Sequence, residues 1–210
     1  MSQQIVFYYN PMSRARIVHW ILEEIGVPYE VRLLNFETGE HKQPGYLAVN
    51  PMGKVPALVH NGTVITEAAA ICTYLADIFP EAGLAPAVSD HPARGTYLRW
   101  LFFGAGCVEP AFVDKLFSRP TPERPSALGY GSYPDVLNAL EQAITPGPFI
   151  LGDRFSAADV YVGSQIVWGM LVKALEPRPI FEAYAKRLSE RPAYQRSVSQ
   201  GEKYISQLRK

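Results

Sequence analysis

The run from Ile5 to Tyr9, IVFYY, is apolar and of strand length, and it stops at Asn10-Pro11. Within three residues the pattern changes to helical spacing. Ile17, Val18, Ile21, Leu22 and Ile25 recur on one face, predicting a helix from about Met12 to Ile25 that Gly26 stops. After Pro28, YEVRLLNF reads as a second strand. ALVH and TVIT then flank Asn61-Gly62, and this dipeptide predicts a tight antiparallel hairpin because a type I′ turn needs positive φ at both central residues. EAAAICTYLADIF follows as a helix, with Ala68, Ile71, Cys72 and Leu75 on one face. The order βαβ, an irregular connection, then ββα defines a small α/β layer structure with a mixed sheet.

The pattern changes again after Phe79. PEAGLAPAVSDHPA is proline-rich and reads as a domain boundary, so the expected division is 1–80 for the α/β domain, 81–91 for a linker and 92–210 for an all-α domain. Helices are predicted over about 92–117, over about 132–144, from the Ser156/Asp159 capping box onward, and near 179–191. The last is expected to end before Pro192 and leave a short terminal segment. The proline-rich SRPTPERPSALGYG is a break between helices.

Composition excludes several function classes. The 20 basic and 20 acidic residues cancel, so no global field favours nucleic acid or an anionic membrane surface. No apolar run approaches the roughly 20 residues that span a bilayer, MSQQIVFYY lacks the features of a signal peptide, and the expected location is the cytoplasm. Cys72 and Cys107 are far apart in apolar segments and are expected to be structural. There is no C-x-x-C, and His19, His41, His60 and His91 show no ligand spacing, so no metal site is expected. G-x-S-x-G and a phosphate-binding glycine loop are both absent, which argues against a hydrolase or a kinase.

Three stretches in order along the chain, GEHKQPGYLAVNPMGKVPAL, TEAAAICTYLAD and LGDRFSAADVY, resemble motifs of the cytosolic glutathione transferase family. The likeness is to its serine-type, theta- or phi-like members. It implies a thioredoxin-like amino-terminal domain that binds glutathione and a helical domain that carries a hydrophobic-substrate site. It further implies a cis peptide at Val55-Pro56, where the backbone pairs with the cysteinyl part of glutathione as an added strand. Glu67 would meet the charged γ-glutamyl end, and the N–H of residue 68 would take its carboxylate. Family members usually have a serine at that position, whereas this chain has Ala68, so one hydrogen bond to a charged group is missing. His41, Lys42 and Lys54 would supply donors to the glycyl carboxylate.

Thiol activation requires anion stabilisation. A thiol of pKa near 8.5 lowered by about two units needs roughly 2.7 kcal/mol of preferential stabilisation, which one hydroxyl donor plus a helix N-terminus can supply. The β1–helix junction offers Tyr8, Tyr9 and Ser13. By resemblance the catalytic group is Ser13, with Tyr9 the alternative, and the absence of cysteine there argues against mixed-disulfide chemistry. Trp100, Phe103, Phe112 and Trp168 are the candidates for the hydrophobic-substrate site, expected between the domains. The resemblance thus implies a homodimeric detoxification enzyme with glutathione as co-substrate and no metal. Its activated thiol would attack a hydrophobic electrophile or reduce a hydroperoxide or disulfide. The alternative is a non-catalytic ligand- or partner-binding member of the same fold.

Overall fold

The computed structural model describes residues 4–120 and 122–209. Met1 to Gln3, in the stretch read for a leader, Thr121, in the proline-rich break, and Lys210 lie outside the described residues. The strands are β1 (Ile5–Tyr9), β2 (Glu30–Leu33), β3 (Ala57–His60) and β4 (Thr63–Thr66). The helices are α1 (Ala15–Ile25), α2 (Pro44–Leu47), α3 (Ala68–Ile78), α4 (His91–Phe103), α5 (Glu109–Leu116), α6 (Tyr133–Ile144), α7 (Ala157–Leu171), α8 (Pro179–Ser189) and α9 (Pro192–Leu208). The chain forms two compact units, Met1–Ala82 with Arg191–Lys210, and Gly83–Glu190.

The first unit carries a mixed sheet in the order β2-β1-β3-β4. β1 pairs parallel with β2 and antiparallel with β3, and β3 pairs antiparallel with β4. The hairpin forms as the dipeptide predicts, with φ of 48° at Asn61 and 85° at Gly62. Alternation along β1 separates two environments. Phe7 and Tyr9 turn to a ring cluster with His19 and Tyr29, while Tyr8 packs on Tyr46 of α2 at 5.2 Å between centroids. α1 begins three residues later than its apolar spacing suggests, because Pro11–Arg14 is taken up in turns. It ends as expected at Gly26, whose φ of 76° is the left-handed cap.

The carboxyl-terminal segment departs most from the sequence pattern. Where only a short tail was expected after Pro192, α9 runs for 17 residues and packs on α1 of the first unit. Its fully buried positions are Ala193, Ser197 and Gly201, spaced by four, and beside them Tyr194 packs edge to face on Trp20 and Tyr204 on Tyr9. Small residues suit a close approach: a Cβ at Gly201 would lie 3.2 Å from the Tyr9 hydroxyl. Charge-assisted bonds flank the seam. Arg191 makes a bidentate pair with Glu24 at 2.7 and 2.8 Å, and Arg196 reaches Glu23 at 2.9 Å.

His19 sits in the same seam, 1% exposed, with Nε2 at 3.1 Å from the Gln200 side chain. Burial lowers its pKa, against the opposing effects of Gln200 and Glu23. A histidine held neutral in the fold contributes stability that is fully present above its unfolded pKa of about 6.5 and is lost as pH falls through the lowered folded value. Burial raises the Glu23 pKa, but the Tyr29 hydroxyl and Arg196 outweigh it and the net shift is downward, so Glu23 stays ionised across this window. We therefore expect the thermal midpoint to drop between pH 7.5 and pH 5.5, and His19→Asn to flatten that slope. An equal slope in the variant would sink the assignment.

The second unit is built of helices, with two isolated antiparallel bridges, Phe149 to Gly152 and Leu151 to Arg154, before α7. α4 and α5 are one continuous rod interrupted by a single π turn over Gly104–Val108. At the head of α7, Ser156 and Asp159 form the expected capping box. Asp159 does more than cap. Its two oxygens accept from the N–H of Ile150 (2.8 Å), the hydroxyl of Tyr184 (2.7 Å) and both the N–H and hydroxyl of Ser156 (2.9 Å each). Gly163 brings α7 close to α8, since a Cβ there would fall 2.2 Å from Leu188. Cys72 is buried in the first unit, and Cys107, in the π turn of the second, is half-buried with Sγ 3.7 Å from the Gly129 carbonyl.

Candidate functional site

Strand register gathers the motif-bearing segments at one end of the sheet. Tyr8 pairs with Ala57, so continuing the antiparallel register past the strands sets Asn10 opposite Val55. Ala57 pairs with Thr66, and the same continuation sets Pro56 opposite Glu67. β2 runs parallel to β1 and ends at the same edge, with Tyr9 beside Leu33, so the loop leading to His41 and Lys42 leaves from that end as well. Four segments distant in sequence thus emerge together.

At the end of β1, a short network shapes the turn that carries Ser13. The buried Asn10 donates from Nδ2 to the Leu34 carbonyl (2.7 Å), and its Oδ1 accepts from the Met12 N–H (2.8 Å). The half-buried Ser13 hydroxyl donates to the Asn10 carbonyl (2.7 Å) and accepts from the Ala15 N–H (3.1 Å). Ser13 thus stands one position before the N-cap, Arg14, and supports the start of α1 by taking the N–H of its first residue, Ala15. Tyr9 is placed differently. Its ring is fully buried, its hydroxyl lies against Gly201 of α9 with no hydrogen-bond partner, and burial pushes its pKa well above the ordinary phenol range.

The loop before β3 is built around a cis peptide between Val55 and Pro56. The Lys54 carbonyl is saturated, accepting from the Tyr46 hydroxyl (2.5 Å) and from Asn50 Nδ2 (2.8 Å). Val55 itself is half-buried and packs against the cluster of Leu34, Tyr46 and Ala57. Lys42 Nζ donates to the Met52 carbonyl (2.8 Å), the His41 ring packs on Phe36 at 4.8 Å, and the Lys54 side chain is exposed. The asparagines were not picked out by sequence reasoning, although a signal existed. Asn-Pro-Met occurs twice, at 10–12 and 50–52, and in both copies Oδ1 takes the N–H two residues on while Nδ2 reaches a carbonyl elsewhere.

Glu67 precedes α3 with φ 66° and ψ 117°, a left-handed-side conformation that costs a non-glycine residue on the order of 1–3 kcal/mol. Its carboxylate is exposed. α3 has neither a capping side chain nor an acidic residue in its first turn, and Ala68 is its first residue, so its amino-terminal N–H groups face outward uncapped. Such an end attracts a carboxylate.

In the second unit, Trp100 and Phe103 meet edge to face at 5.3 Å. Trp100 and Phe112 are buried, and Phe112 packs against Gly169, so both serve the helical core; Phe103 and Trp168 keep part of their surface. Among the described residues no group of three or more His, Cys, Asp or Glu side chains is placed to hold a metal ion, and no helix is long and apolar enough to cross a membrane.

Comparison with known proteins converges on one family. Residues 3–77 match the model of the glutathione S-transferase amino-terminal domain, and residues 126–190 match a glutathione S-transferase carboxyl-terminal domain. The chain is 32% identical over 199 residues to glutathione S-transferase GstA of Escherichia coli O157:H7, covering 91% of this chain and 96% of that protein. A crystal structure of a glutathione transferase from Methylococcus capsulatus superposes with a TM-score of 0.78 at 31% identity, covering 94% of this chain and 98% of the other. A glutathione transferase homologue from Sulfitobacter, solved with bound glutathione, gives 0.77 at 28% identity, covering 96% and 99%.

Proposed function

We propose that this chain, which belongs to the glutathione S-transferase family and is a glutathione transferase, ionises the glutathione thiol with the Ser13 hydroxyl at the head of α1. The observation that carries the reading is the register that brings the Ser13 turn, Val55 and the uncapped start of α3 to one sheet end. The tripeptide's cysteinyl backbone pairs with Val55, its γ-glutamyl carboxylate meets the N–H groups of α3, and its ammonium meets Glu67. His41, Lys42 and Lys54 receive the glycyl carboxylate. With both ends held, the thiol falls at the β1–α1 junction.

Ser13 must release a proton contact to serve there. In the free protein its hydroxyl hydrogen is spent on the Asn10 carbonyl, and rotation about the Cβ–Oγ bond redirects it without disturbing the bond from Ala15. A hydrogen bond to a charged group is worth about 1.5–3 kcal/mol against about 1 for the neutral one it replaces, so the exchange favours the thiolate. The thiolate then attacks a hydrophobic electrophile, for which Phe103 and Trp168, half-buried in the helical unit, are the candidate binding residues. Reduction of hydroperoxides or disulfides draws on the same thiolate. The same reading makes residues 1–80 the glutathione-binding domain and the protein a homodimer that serves detoxification in the cytoplasm. Sedimentation at micromolar concentration tests the dimer.

Two measurements test the core of this reading. An ultraviolet titration of glutathione bound to the protein should show thiolate forming below the free value of about 8.5, and an unshifted thiol rejects it. Ala68→Ser should restore the hydroxyl missing from the carboxylate contact and lower the glutathione KM by about tenfold, the equivalent of about 1.4 kcal/mol. A KM unchanged or raised would show that the γ-glutamyl carboxylate binds elsewhere.

A further inference from the structure

We propose that Asn10 is the positioning residue for the Ser13 hydroxyl: its buried carboxamide pins the Pro11–Ser13 turn to β2, and its main-chain carbonyl holds the hydroxyl hydrogen until a thiolate takes it. The proposal rests on the assignment of Ser13 as the thiol's hydrogen-bond donor.

The geometry is specific. The last rung of the β1–β2 ladder is the bond from the Leu34 N–H to the Tyr9 carbonyl at 2.9 Å. One residue further, the chains diverge, and the Asn10 side chain bridges the gap by donating to the Leu34 carbonyl at 2.7 Å. Asn10 is 3% exposed, so that bond is shielded from water and competes with no solvent donor. Its Oδ1 simultaneously fixes the Met12 N–H at 2.8 Å, closing the turn on the side chain rather than on the backbone. One end of the carboxamide therefore ties the turn to Leu34 at the end of β2, and the other closes it on Met12, just before Ser13. Proline at position 11 removes a further degree of freedom by locking its own φ.

The consequence falls on a single oxygen. Ser13 Oγ lies 2.7 Å from the Asn10 carbonyl and 3.1 Å from the Ala15 nitrogen, so the hydroxyl oxygen is held from both sides while its hydrogen alone remains movable. The oxygen is thus in place before a thiolate arrives, and only the hydrogen has to turn away from the Asn10 carbonyl. Aspartate, serine or alanine at position 10 cannot reproduce both side-chain bonds. Aspartate has no hydrogen to give the Leu34 carbonyl, serine is too short to reach it, and alanine has neither group.

The test is the thiol pKa of glutathione bound to Asn10→Ala, Asn10→Ser, Ser13→Ala and Asn10→Ala/Ser13→Ala proteins, read from thiolate absorbance against pH. A pKa belongs to the complex that forms and does not depend on how much protein is folded, so loss of stability alone leaves it where it is in the wild type. Asn10→Ala is expected to move the thiol most of the way that Ser13→Ala moves it, with little change in the glutathione KM and with the double variant no different from Ser13→Ala. Asn10→Ser, which keeps an acceptor for Met12, should fall between, and it supplies the measurement if Asn10→Ala does not fold. A wild-type thiol pKa in either Asn10 variant, or shifts that add fully in the double variant, overturns the proposal while leaving Ser13 in its role. No shift in Ser13→Ala overturns the assignment of Ser13 and the proposal with it.

Discussion

Ser13→Ala is expected to lower kcat/KM for glutathione conjugation by about tenfold to a hundredfold, because it removes one hydrogen bond of about 1.5–3 kcal/mol to a developing thiolate. The same substitution removes the side-chain acceptor of the Ala15 N–H at the head of α1, a neutral hydrogen bond worth about 0.5–1.5 kcal/mol of stability. The two effects separate cleanly. Loss of that bond lowers the thermal midpoint without raising the thiol pKa of the complex that remains, whereas lost activation raises it toward about 8.5. Ser13→Thr retains the hydroxyl and should recover most of the rate. Tyr9→Phe removes only a hydroxyl that has no hydrogen-bond partner and is sealed beneath α9, so its turnover should stay within about twofold of wild type. Full activity in Ser13→Ala together with a collapse in Tyr9→Phe would transfer the role to the tyrosine, and α9 would then have to move for the phenol to reach a thiol.

Asp159→Ala should cost the helical unit more than about 4 kcal/mol, a large part of the 5–15 kcal/mol that a domain of ordinary stability possesses. The reason is the number of donors that lose their acceptor at once. Two backbone N–H groups, of Ile150 and Ser156, and two hydroxyls, of Ser156 and Tyr184, converge on this one carboxylate. Leaving buried donors unsatisfied costs about 1–3 kcal/mol each. Burial raises the pKa of Asp159, while the four bonds act to lower it, so the network offsets part of the desolvation cost of holding a carboxylate there. Asparagine at 159 is no remedy, since one of its two atoms would present hydrogens to donors that already point inward. Urea unfolding followed by circular dichroism measures the loss. A variant within about 1 kcal/mol of wild type would show that the four bonds are replaced by water or by rearrangement. Ser156→Ala, which removes one donor and one cap but leaves the carboxylate in place, should cost about 1–2 kcal/mol.

Local patterns carry much of this protein. The short apolar run IVFYY, the Asn61-Gly62 hairpin, the Ser156/Asp159 box and the glycine after Ile25 are each short-range signals whose physics acts within a few residues, and each feature formed where its pattern put it. The motif order also made the family legible, because backbone-presenting prolines and helix starts recur at fixed spacing whatever the surrounding side chains. The carboxyl-terminal helix was missed for an equally physical reason. Its fully buried positions are the small residues Ala193, Ser197 and Gly201, and its large packing groups are the rings of Tyr194 and Tyr204, so few aliphatic residues mark the helix and Pro192, which opens it, reads as a stop.

The choice between Ser13 and Tyr9 belongs to the same class of question. Both hydroxyls stand four residues apart at the end of one strand, and nothing in their local sequence says which way each side chain turns. Residue type, spacing and capping chemistry determined that a hydroxyl-bearing turn follows β1 and that α3 begins beside a carboxylate. Only the tertiary structure decided that Tyr9 is sealed beneath α9, at the far end of the chain, and that Asn10 holds the serine turn to Leu34 at the end of β2. Those outcomes depend on contacts between distant segments, and the energy of such a contact is written in no single stretch of the chain.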